Sequence, residues 1–289
     1  MSSISIRKAI SELSTETENP AGEKYISLSV KGTEKLSAVF NMERCEVEIT
    51  ALEMNIIPER YHRNIGTIGL DGQIKLLKSK AGVIGAGGLG GFVLEMLARA
   101  GVGKMVVVDN DYFCDSNLNR QLFSTENNLA ESKVDAAVRR VKDINKAVEI
   151  EGFQICGTRQ TLPPILSGCN IVIDCLDNLQ SRFELEEVCS RLNIILVHGA
   201  IAGFLGQLAV IRPGKPLLQS IYGCEKDGDI KRGVEVQLGN PVITPAMLAA
   251  WQTGEALKIL AGLDGILPEN RLLIMDMQAG NFYQVDISP

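Results

Sequence analysis

The stretch from Lys80 to Asp111 reads KAGVIGAGGLGGFVLEMLARAGVGKMVVVDND, and it decides the fold. Its first apolar run, Ala81 to Ile84, predicts a buried parallel strand. A GxGxxG turn follows at Gly85 to Gly90, and apolar residues at helical spacing then lead to a glycine typical of a helix end. A second apolar run, Met105 to Val108, ends on Asp109. The stretch therefore predicts a strand–turn–helix–strand unit with an acid at the end of its second strand.

A unit of this kind is typical of a nucleotide site. Glycines let the backbone approach a phosphate, the start of the helix offers free N–H groups, and the acid accepts ribose hydroxyls. We expect the turn to cradle a nucleotide through Gly85, Gly87, Gly88 and Gly90, with the ribose on Asp109. The alternative is a tight turn with no ligand, and the glycines alone do not say which nucleotide binds.

The chain after residue 57 alternates strands and helices, which predicts an α/β fold with a Rossmann-like, mostly parallel sheet covered by helices on both faces. Two late apolar segments, Arg271 to Met275 and Phe282 to Ile287, predict an antiparallel C-terminal extension. Ligands of such sheets bind beyond the carboxyl ends of the strands, where the glycine turn, Asp109 and Asp177 all fall. We therefore expect one crevice and assign residues 58–289 to one nucleotide-binding domain.

Residues 1–57 have a different character and predict a small α+β appendage. Ile4 to Leu13 is expected to be a short helix. Tyr25 to Val30 and Cys45 to Thr50 alternate polar and apolar residues as strands do.

Composition excludes several classes of protein. The 289 residues are 45% hydrophobic and carry a net charge of −6 without a long basic run, which argues against nucleic-acid binding. No apolar stretch reaches the ~20 residues that span a bilayer, and the N-terminus lacks the apolar core of a secretion signal. The seven cysteines form no C-x-x-C pair, which argues against zinc and disulfides and predicts free thiols in the cytoplasm.

Several charged residues suit a nucleoside triphosphate better than a nicotinamide cofactor. Arg120, Lys133 and Arg63 can stabilise the charge that builds up on phosphates when a nucleophile attacks the α-phosphorus. Asp177, just past a strand end, can hold Mg²⁺. Each of these alone is also compatible with an ordinary surface charge or a helix cap. His198, after an apolar strand, is expected to be a core histidine with satisfied hydrogen bonds.

The order of motifs resembles the ThiF/MoeB/HesA-type adenylyltransferases, the bacterial relatives of ubiquitin-activating enzymes. The resemblance covers about residues 58 to 288. It rests on motifs that read, in order along the chain, RYHRN from Arg60, GAGGLG from Gly85, NLNRQ from Asn117, SK at Ser132 and DCLDN from Asp174.

The resemblance implies ATP and Mg²⁺ as the bound groups and the following roles. Asn117, Arg120 and Lys133 contact the phosphates, Asp177 positions Mg²⁺, and Arg63 reaches the triphosphate of the other subunit of a homodimer. It also implies attack by a carboxylate on the α-phosphorus of ATP, giving an acyl-adenylate and pyrophosphate. The carboxylate would be the Gly-Gly C-terminus of a MoaD/ThiS-like sulfur-carrier protein in cofactor biosynthesis.

Two departures from the family leave the substrate open. Many members bind zinc with two C-x-x-C pairs, but here the first position reads Ile221-Tyr222-Gly223-Cys224 and residues 281–289 hold no cysteine, so we expect no zinc. Cys224 is a possible nucleophile, although a spectator role is the simpler interpretation. The alternatives are adenylation of a small-molecule or peptide carboxylate without a thioester, a nucleotide-binding scaffold without activity, and an enzyme that uses NAD(H).

Overall fold

The computed structural model describes residues 5–223 and 235–287. Its helices are α1 (Ile6–Leu13), α2 (Val30–Phe40), α3 (Arg44–Leu52), α4 (His62–Lys78), α5 (Gly88–Ala100), α6 (Lys133–Ile144), α7 (Leu162–Leu166), α8 (Leu179–Arg191), α9 (Leu218–Tyr222), α10 (Glu235–Leu238) and α11 (Ile243–Ala261). Its strands are β1 (Thr15–Glu18), β2 (Lys24–Leu28), β3 (Ile57–Pro58), β4 (Lys80–Ile84), β5 (Lys104–Val108), β6 (Glu149–Phe153), β7 (Ile171–Asp174), β8 (Ile195–Ala202), β9 (Leu205–Ile211), β10 (Arg271–Asp276) and β11 (Asn281–Asp286).

The main sheet has eight strands in the order β11-β10-β9-β8-β7-β4-β5-β6. The strands from β8 to β6 run parallel to one another, and β9, β10 and β11 extend the sheet with antiparallel pairings. This arrangement confirms the predicted fold class, including the antiparallel extension. The strand order reverses at β4, so the turn after β4 opens where ligands of doubly wound sheets bind.

Helices cover both faces of the main sheet because both faces of its central strands are apolar. On one face α5, α6 and α11 bury residues such as Val93, Val141 and Leu248 in one core cluster. On the other face α7 and α8 bury residues such as Leu166 and Leu185 in a second cluster. Strands covered in this way read as continuous apolar runs, which is how the sequence shows them.

The appendage packs three helices on a small sheet of order β1-β2-β3, in which β1 and β2 are antiparallel and β2 and β3 parallel. The predicted helix and the strand from Tyr25 are present as α1 and β2. The predicted strand from Cys45 to Thr50 is wrong, because these residues belong to α3. Val47 and Ala51 are fully buried there at helical spacing. Helix α2 had no counterpart among the predicted elements.

The appendage and the larger unit join at β3. The predicted boundary between residues 57 and 58 falls inside β3, which belongs to the appendage sheet.

Candidate active site

The glycine turn joins β4 to α5, and its first and last glycines are required by the protein itself. Gly85 has a φ of +99°, and a Cβ on it would lie 2.5 Å from the Cys175 carbonyl oxygen. A Cβ on Gly90 would lie 1.8 Å from the Gly85 carbonyl oxygen. Any side chain at either position would therefore displace backbone.

The two middle glycines have no such internal cause. A Cβ on Gly87 would meet Gln121 at 3.5 Å, and one on Gly88 would meet Pro245 at 3.6 Å, both ordinary contact distances. The backbone N–H groups in the first turn of α5 point into this space without helical acceptors. Residues without a side chain at a helix start let a phosphate approach the backbone.

Asp109 closes the turn from the end of β5. Its Oδ2 accepts a hydrogen bond from the Ala86 backbone N–H at 2.7 Å, and its Oδ1 accepts one from the Asp111 N–H at 2.8 Å. Each carboxylate oxygen has a further lone pair, so the half-buried group can still accept ribose hydroxyls. The structure thus places Asp109 directly beside the glycine turn.

Arg120 lies across the same turn. Its Cγ and Cδ are 3.9 Å from the position that a Cβ on Gly88 would take. Its Nη1 donates to the Ser116 carbonyl and to the Asn119 side chain, both at 2.8 Å, and these bonds hold the guanidinium within the polar loop of residues 110–128, between β5 and α6. The structure therefore places Arg120 beside the glycine turn, and its contact with phosphates stays a prediction.

Asn117 has a local task within that loop. It is buried, and its Oδ1 accepts the Cys114 backbone N–H at 3.1 Å. This bond closes the short turn that precedes Arg120. A phosphate contact through Asn117 stays a prediction.

Lys133 begins α6 and is buried with its charge paired. Its Nζ donates to Asp111 Oδ2 at 2.9 Å, and its side chain is 8% exposed against 60% for Asp111. The preceding residue, Ser132, caps the helix through the Asp135 N–H. Because Asp111 stands two residues after Asp109, the ammonium lies on the same edge of the sheet as the glycine turn.

Asp177 is exposed on the turn that follows β7, next to the glycine turn. The turn begins with Cys175, whose carbonyl lies against Gly85. It is tied down at Leu176, whose N–H donates to Asp174 Oδ1 at 2.9 Å and whose carbonyl accepts from Arg182 Nη2 at 2.6 Å. The chain therefore fixes the turn and leaves the Asp177 side chain exposed at the same edge of the sheet as the glycine turn.

The residues present fit Mg²⁺ held mainly by phosphate oxygens. In the described part of the chain no group of three or more His, Cys, Asp or Glu side chains could form a protein cage for a metal. Mg²⁺ bound with a nucleotide takes one or two carboxylates, phosphate oxygens and waters, so one open aspartate suits it.

His198 is a satisfied core histidine, as the sequence predicted. It is fully buried, its Nδ1 lies 2.6 Å from Asp174 Oδ2, and its Nε2 lies 2.9 Å from the Tyr222 hydroxyl. Burial lowers the pKa of His198 and outweighs the opposing effect of Asp174. A neutral ring that donates from Nδ1 and accepts from Tyr222 satisfies every partner.

The sequence did not predict that Asp174 and Tyr222 contact His198. The one available signal was an acid at the end of an apolar strand. The contact of Asp174 with His198 depends on the pairing of β7 with β8, and the contact of Tyr222 depends on the position of α9. No local sequence pattern reveals either.

Arg63 does not join the crevice of its own chain. The neighbouring Asn64 donates to the Ala100 carbonyl at 3.4 Å, at the end of α5 remote from the glycine turn. Helix α5 has 13 residues and so separates the two regions by ~20 Å. Within one chain the predicted set is therefore divided, with Arg120, Lys133 and Asp177 at one edge of the sheet and Arg63 at the other.

The remaining sequence expectations concern thiols and membranes. Cys224 lies outside the described residues, and the six described cysteines are free thiols. Burial raises the pKa of Cys45 to about 12 and of Cys169 to about 11, and it also raises the pKa of Cys175 and Cys189. No helix within residues 5–223 and 235–287 is long and apolar enough to cross a bilayer.

The chain is similar in sequence to enzymes that activate sulfur carriers. It is 32% identical to the SAMP-activating enzyme E1 of Haloferax volcanii over 78% of this chain and 84% of that protein. It is 34% identical to the sulfur carrier protein ThiS adenylyltransferase of Escherichia coli over 74% of this chain and 85% of that protein.

Solved structures show the same fold at lower identity. Escherichia coli MccB, determined with ATP, superimposes with a TM-score of 0.69 at 18% identity and covers 88% of this chain and 79% of MccB. PaaA superimposes with a TM-score of 0.67 at 19% identity over 80% of this chain and 82% of PaaA. The model of the ThiF family matches residues 61–289, and the chain therefore belongs to that family and is an adenylyltransferase like its sequence relatives.

Proposed function

We propose that this protein transfers AMP from ATP to the C-terminal Gly-Gly carboxylate of a small sulfur-carrier protein and releases pyrophosphate. The observation that carries the proposal is the pair Gly87 and Gly88 at the start of α5, with Arg120 beside them and with Asp109, Lys133 and Asp177 at the same edge of the sheet. The names of the sequence relatives supply the carrier class. A cytoplasmic location accords with free thiols and a reducing compartment.

The chemistry follows from the charges. A carboxylate oxygen attacks the α-phosphorus, a new O–P bond forms, and the bond to the pyrophosphate oxygen breaks with its electron pair on the leaving group. The carboxylate is already ionised near neutral pH, so the step needs no general base. Arg120 and Lys133 oppose the negative charge that gathers on the leaving pyrophosphate.

Two features of the site assist this step. Mg²⁺ held by Asp177 and phosphate oxygens would supply further neutralisation of charge. Lys133 would share its ammonium between Asp111 and a phosphate, because Asp111 is exposed enough to give way.

Arg63 would act on the nucleotide of a second copy, and this makes the proposed enzyme a homodimer. Its position about 20 Å from its own glycine turn supports action in the other subunit. A closed twofold dimer would bring the two edges of the two sheets together in each site.

Exchange of radiolabelled pyrophosphate into ATP tests the proposal. Exchange is expected only with a carrier that ends in Gly-Gly and not with the same carrier lacking its last glycine. Arg120→Ala and Asp177→Asn should each lower exchange ~100-fold. The matched control is Arg99→Ala, an exposed arginine that pairs with Glu95 near the far end of α5. Unchanged exchange in both site variants would refute the assignment of the crevice.

A peptide carboxylate is the second candidate substrate, and one observation favours it. The alignment with MccB covers a larger share of this chain than residues 61–289 can supply, so it includes part of the appendage. Another MccB structure was determined as a complex with N-formylated MccA. Exchange stimulated by a peptide with a free C-terminus, but by no Gly-Gly carrier, would select this alternative.

A further inference from the structure

The segment from Glu59 to Arg63 connects the appendage to the larger unit without a linker. It begins directly after β3, whose residues Ile57 and Pro58 pair with Ser27 and Leu28 of β2. It continues directly into α4, which begins at His62. The position of this segment is therefore set by whatever holds its side chains.

Tyr25 of β2 holds the segment from the appendage side. Its ring stacks on the His62 ring with centroids 4.0 Å apart and planes inclined by 10°. Its hydroxyl donates to Glu59, with Oε1 at 3.0 Å and Oε2 at 3.2 Å. One appendage side chain thus contacts the residues on both sides of the short turn.

Arg60 and Tyr61 hold the segment from the other side. Tyr61 is fully buried, its hydroxyl accepts from Asn145 Nδ2 at 2.9 Å, and its ring fills the space beside Gly101. Arg60 Nη1 donates to Asn145 Oδ1, and its Nε lies 3.5 Å from Glu48 of α3. The segment is therefore clamped between the appendage and the ends of α5 and α6.

Arg63 is the next residue after His62 and is exposed. Its guanidinium makes no hydrogen bond or ion pair of its own with the residues that the structure describes. Its charge is nevertheless close enough to oppose the rise in pKa that desolvation and Glu59 cause at Tyr25. The clamp thus fixes the backbone beneath Arg63 and leaves the guanidinium free to bind elsewhere.

We propose that the appendage is a positioning element for Arg63, and that Tyr25 is the positioning residue through which it acts. The inference rests on the proposed function, in which Arg63 binds the triphosphate in a second copy of this chain. It assigns a task to residues 1–57 that needs no contact between the appendage and the crevice of either copy. A shift of Tyr25 would misplace the guanidinium, and misplacement by a fraction of an ångström to 1 Å is costly in catalysis.

Variants at Tyr25 separate the two contacts. Tyr25→Ala removes the stack and the hydrogen bond and should lower kcat for exchange ~10-fold, whereas Tyr25→Phe keeps the stack and should lose ~3-fold. Ile26→Ala, an exposed residue on the same strand, is the control and should leave kcat unchanged. Arg63→Ala should lose ~100-fold, and adding Tyr25→Ala to it should cost nothing more, because both act through one guanidinium.

Mixed dimers give the sharper readout. Tyr25→Ala chains are mixed with Arg120→Ala chains, so that some dimers contain one chain of each kind. In one site of such a hybrid, Arg120 comes from the Tyr25→Ala chain, and Arg63 comes from the Arg120→Ala chain, in which Tyr25 is intact. Random pairing should then restore roughly a quarter of wild-type activity, well above the average of the two parents. An effect of Tyr25 on its own crevice would leave that hybrid site impaired.

Each outcome decides the matter. The inference would be overturned if the losses in the double variant were additive, if Tyr25→Ala left kcat unchanged, or if the mixture recovered no activity. The loss of exchange expected for the Arg120 and Asp177 variants is independent of these outcomes. A silent Arg63→Ala would overturn both this inference and the role in the second subunit. Circular dichroism and the mass of the assembled protein confirm that the Tyr25 variants fold and assemble.

Discussion

Replacing Glu48 with glutamine is expected to make the protein more stable at high pH and to leave its stability unchanged at low pH. Glu48 is 1% exposed on α3, where the appendage meets the turn from Glu59. Arg60 Nε lies 3.5 Å from its Oε1, and the Tyr61 hydroxyl also stabilises the ionised form. Burial raises the pKa of Glu48 to about 7 despite the opposing charge of Arg60.

The sign follows from the proton that the folded state keeps. Between the ordinary value of 4.5 and about 7, the folded protein holds a proton on Glu48 that the unfolded chain has released. The free energy of unfolding therefore falls as pH rises through this window and levels off above it. At ~1.4 kcal/mol per pKa unit, ionised Glu48 costs about 3 kcal/mol once the pH exceeds about 8.

Urea unfolding at about pH 5 and about pH 8.5 measures this contribution. The difference between Glu48→Gln and wild type should be near zero at the lower pH and about 3 kcal/mol in favour of glutamine at the higher pH. The difference between variant and wild type cancels the contribution of His198 to the free energy of unfolding. Because the pKa of His198 is lowered, that contribution decreases as the pH falls. Glu46→Gln, at an exposed position on the same helix, is the control and should change the free energy of unfolding by the same amount at both pH values. Equal gains for Glu48→Gln at both values would refute the reasoning.

Three further predictions concern the site and its support. Gly90→Ala should abolish folding or lower the urea midpoint sharply, because its Cβ would lie 1.8 Å from a backbone oxygen, whereas Gly88→Ala should fold normally and bind ATP at least ~10-fold more weakly by calorimetry. Reversed effects of the two variants would contradict the assignment of packing to one glycine and ligand approach to the other. His198→Leu should lose about 2 kcal/mol in unfolding experiments by removing a hydrogen bond to the buried Asp174, which keeps the Leu176 N–H and Arg182, and His198→Asn, which can still donate to Asp174, should lose less. Cys224→Ser should leave pyrophosphate exchange unchanged, since adenylation forms no bond to sulfur, and a loss of exchange would assign the thiol to the first step.

The sequence reveals those parts of the site that depend on local order along the chain. The strand, glycine turn, helix and Asp109 follow one another within one stretch, so spacing alone predicts their contact. Gly85 and Gly90 carry that signal because a backbone oxygen stands where their side chains would be. The placement of Asp177 beside the turn also follows, since parallel strands end at a common edge.

The misplaced elements show where local patterns fail. Cys45 to Thr50 alternates as a strand would, but together with the next residue it also places Val47 and Ala51 one helical turn apart. The core that α1 and α2 form against them selects the helix. Tertiary packing decides between two periods that a six-residue window cannot separate.

Non-local pairs were beyond the reach of the sequence. No motif links His198 with Tyr222, or Lys133 with Asp111, although each pair is in contact in the structure. No motif predicts the burial of Glu48 either. The ion pair of Lys133 with Asp111 matters most for the charge balance of the proposed site. A lysine at a helix start suggested a free cation, whereas the structure pairs the Lys133 ammonium with the exposed Asp111, so the proposed phosphate contact requires partial displacement of Asp111.

The division of the charged residues is the strongest argument for an enzyme that needs two copies of the chain. Arg120, Lys133 and Asp177 stand at the carboxyl edge of the sheet, and Arg63 stands at the amino edge with α5 between them. A movement within one chain would have to carry Arg63 ~20 Å while Tyr61 stays packed in the core. Burial of Tyr61 and the Asn145 bond make that movement equivalent to local unfolding, which supports the proposed action of the guanidinium in a second copy. The appendage holds that same segment through Tyr25, so the proposed positioning of Arg63 predicts an effect of the appendage on the rate of adenylation.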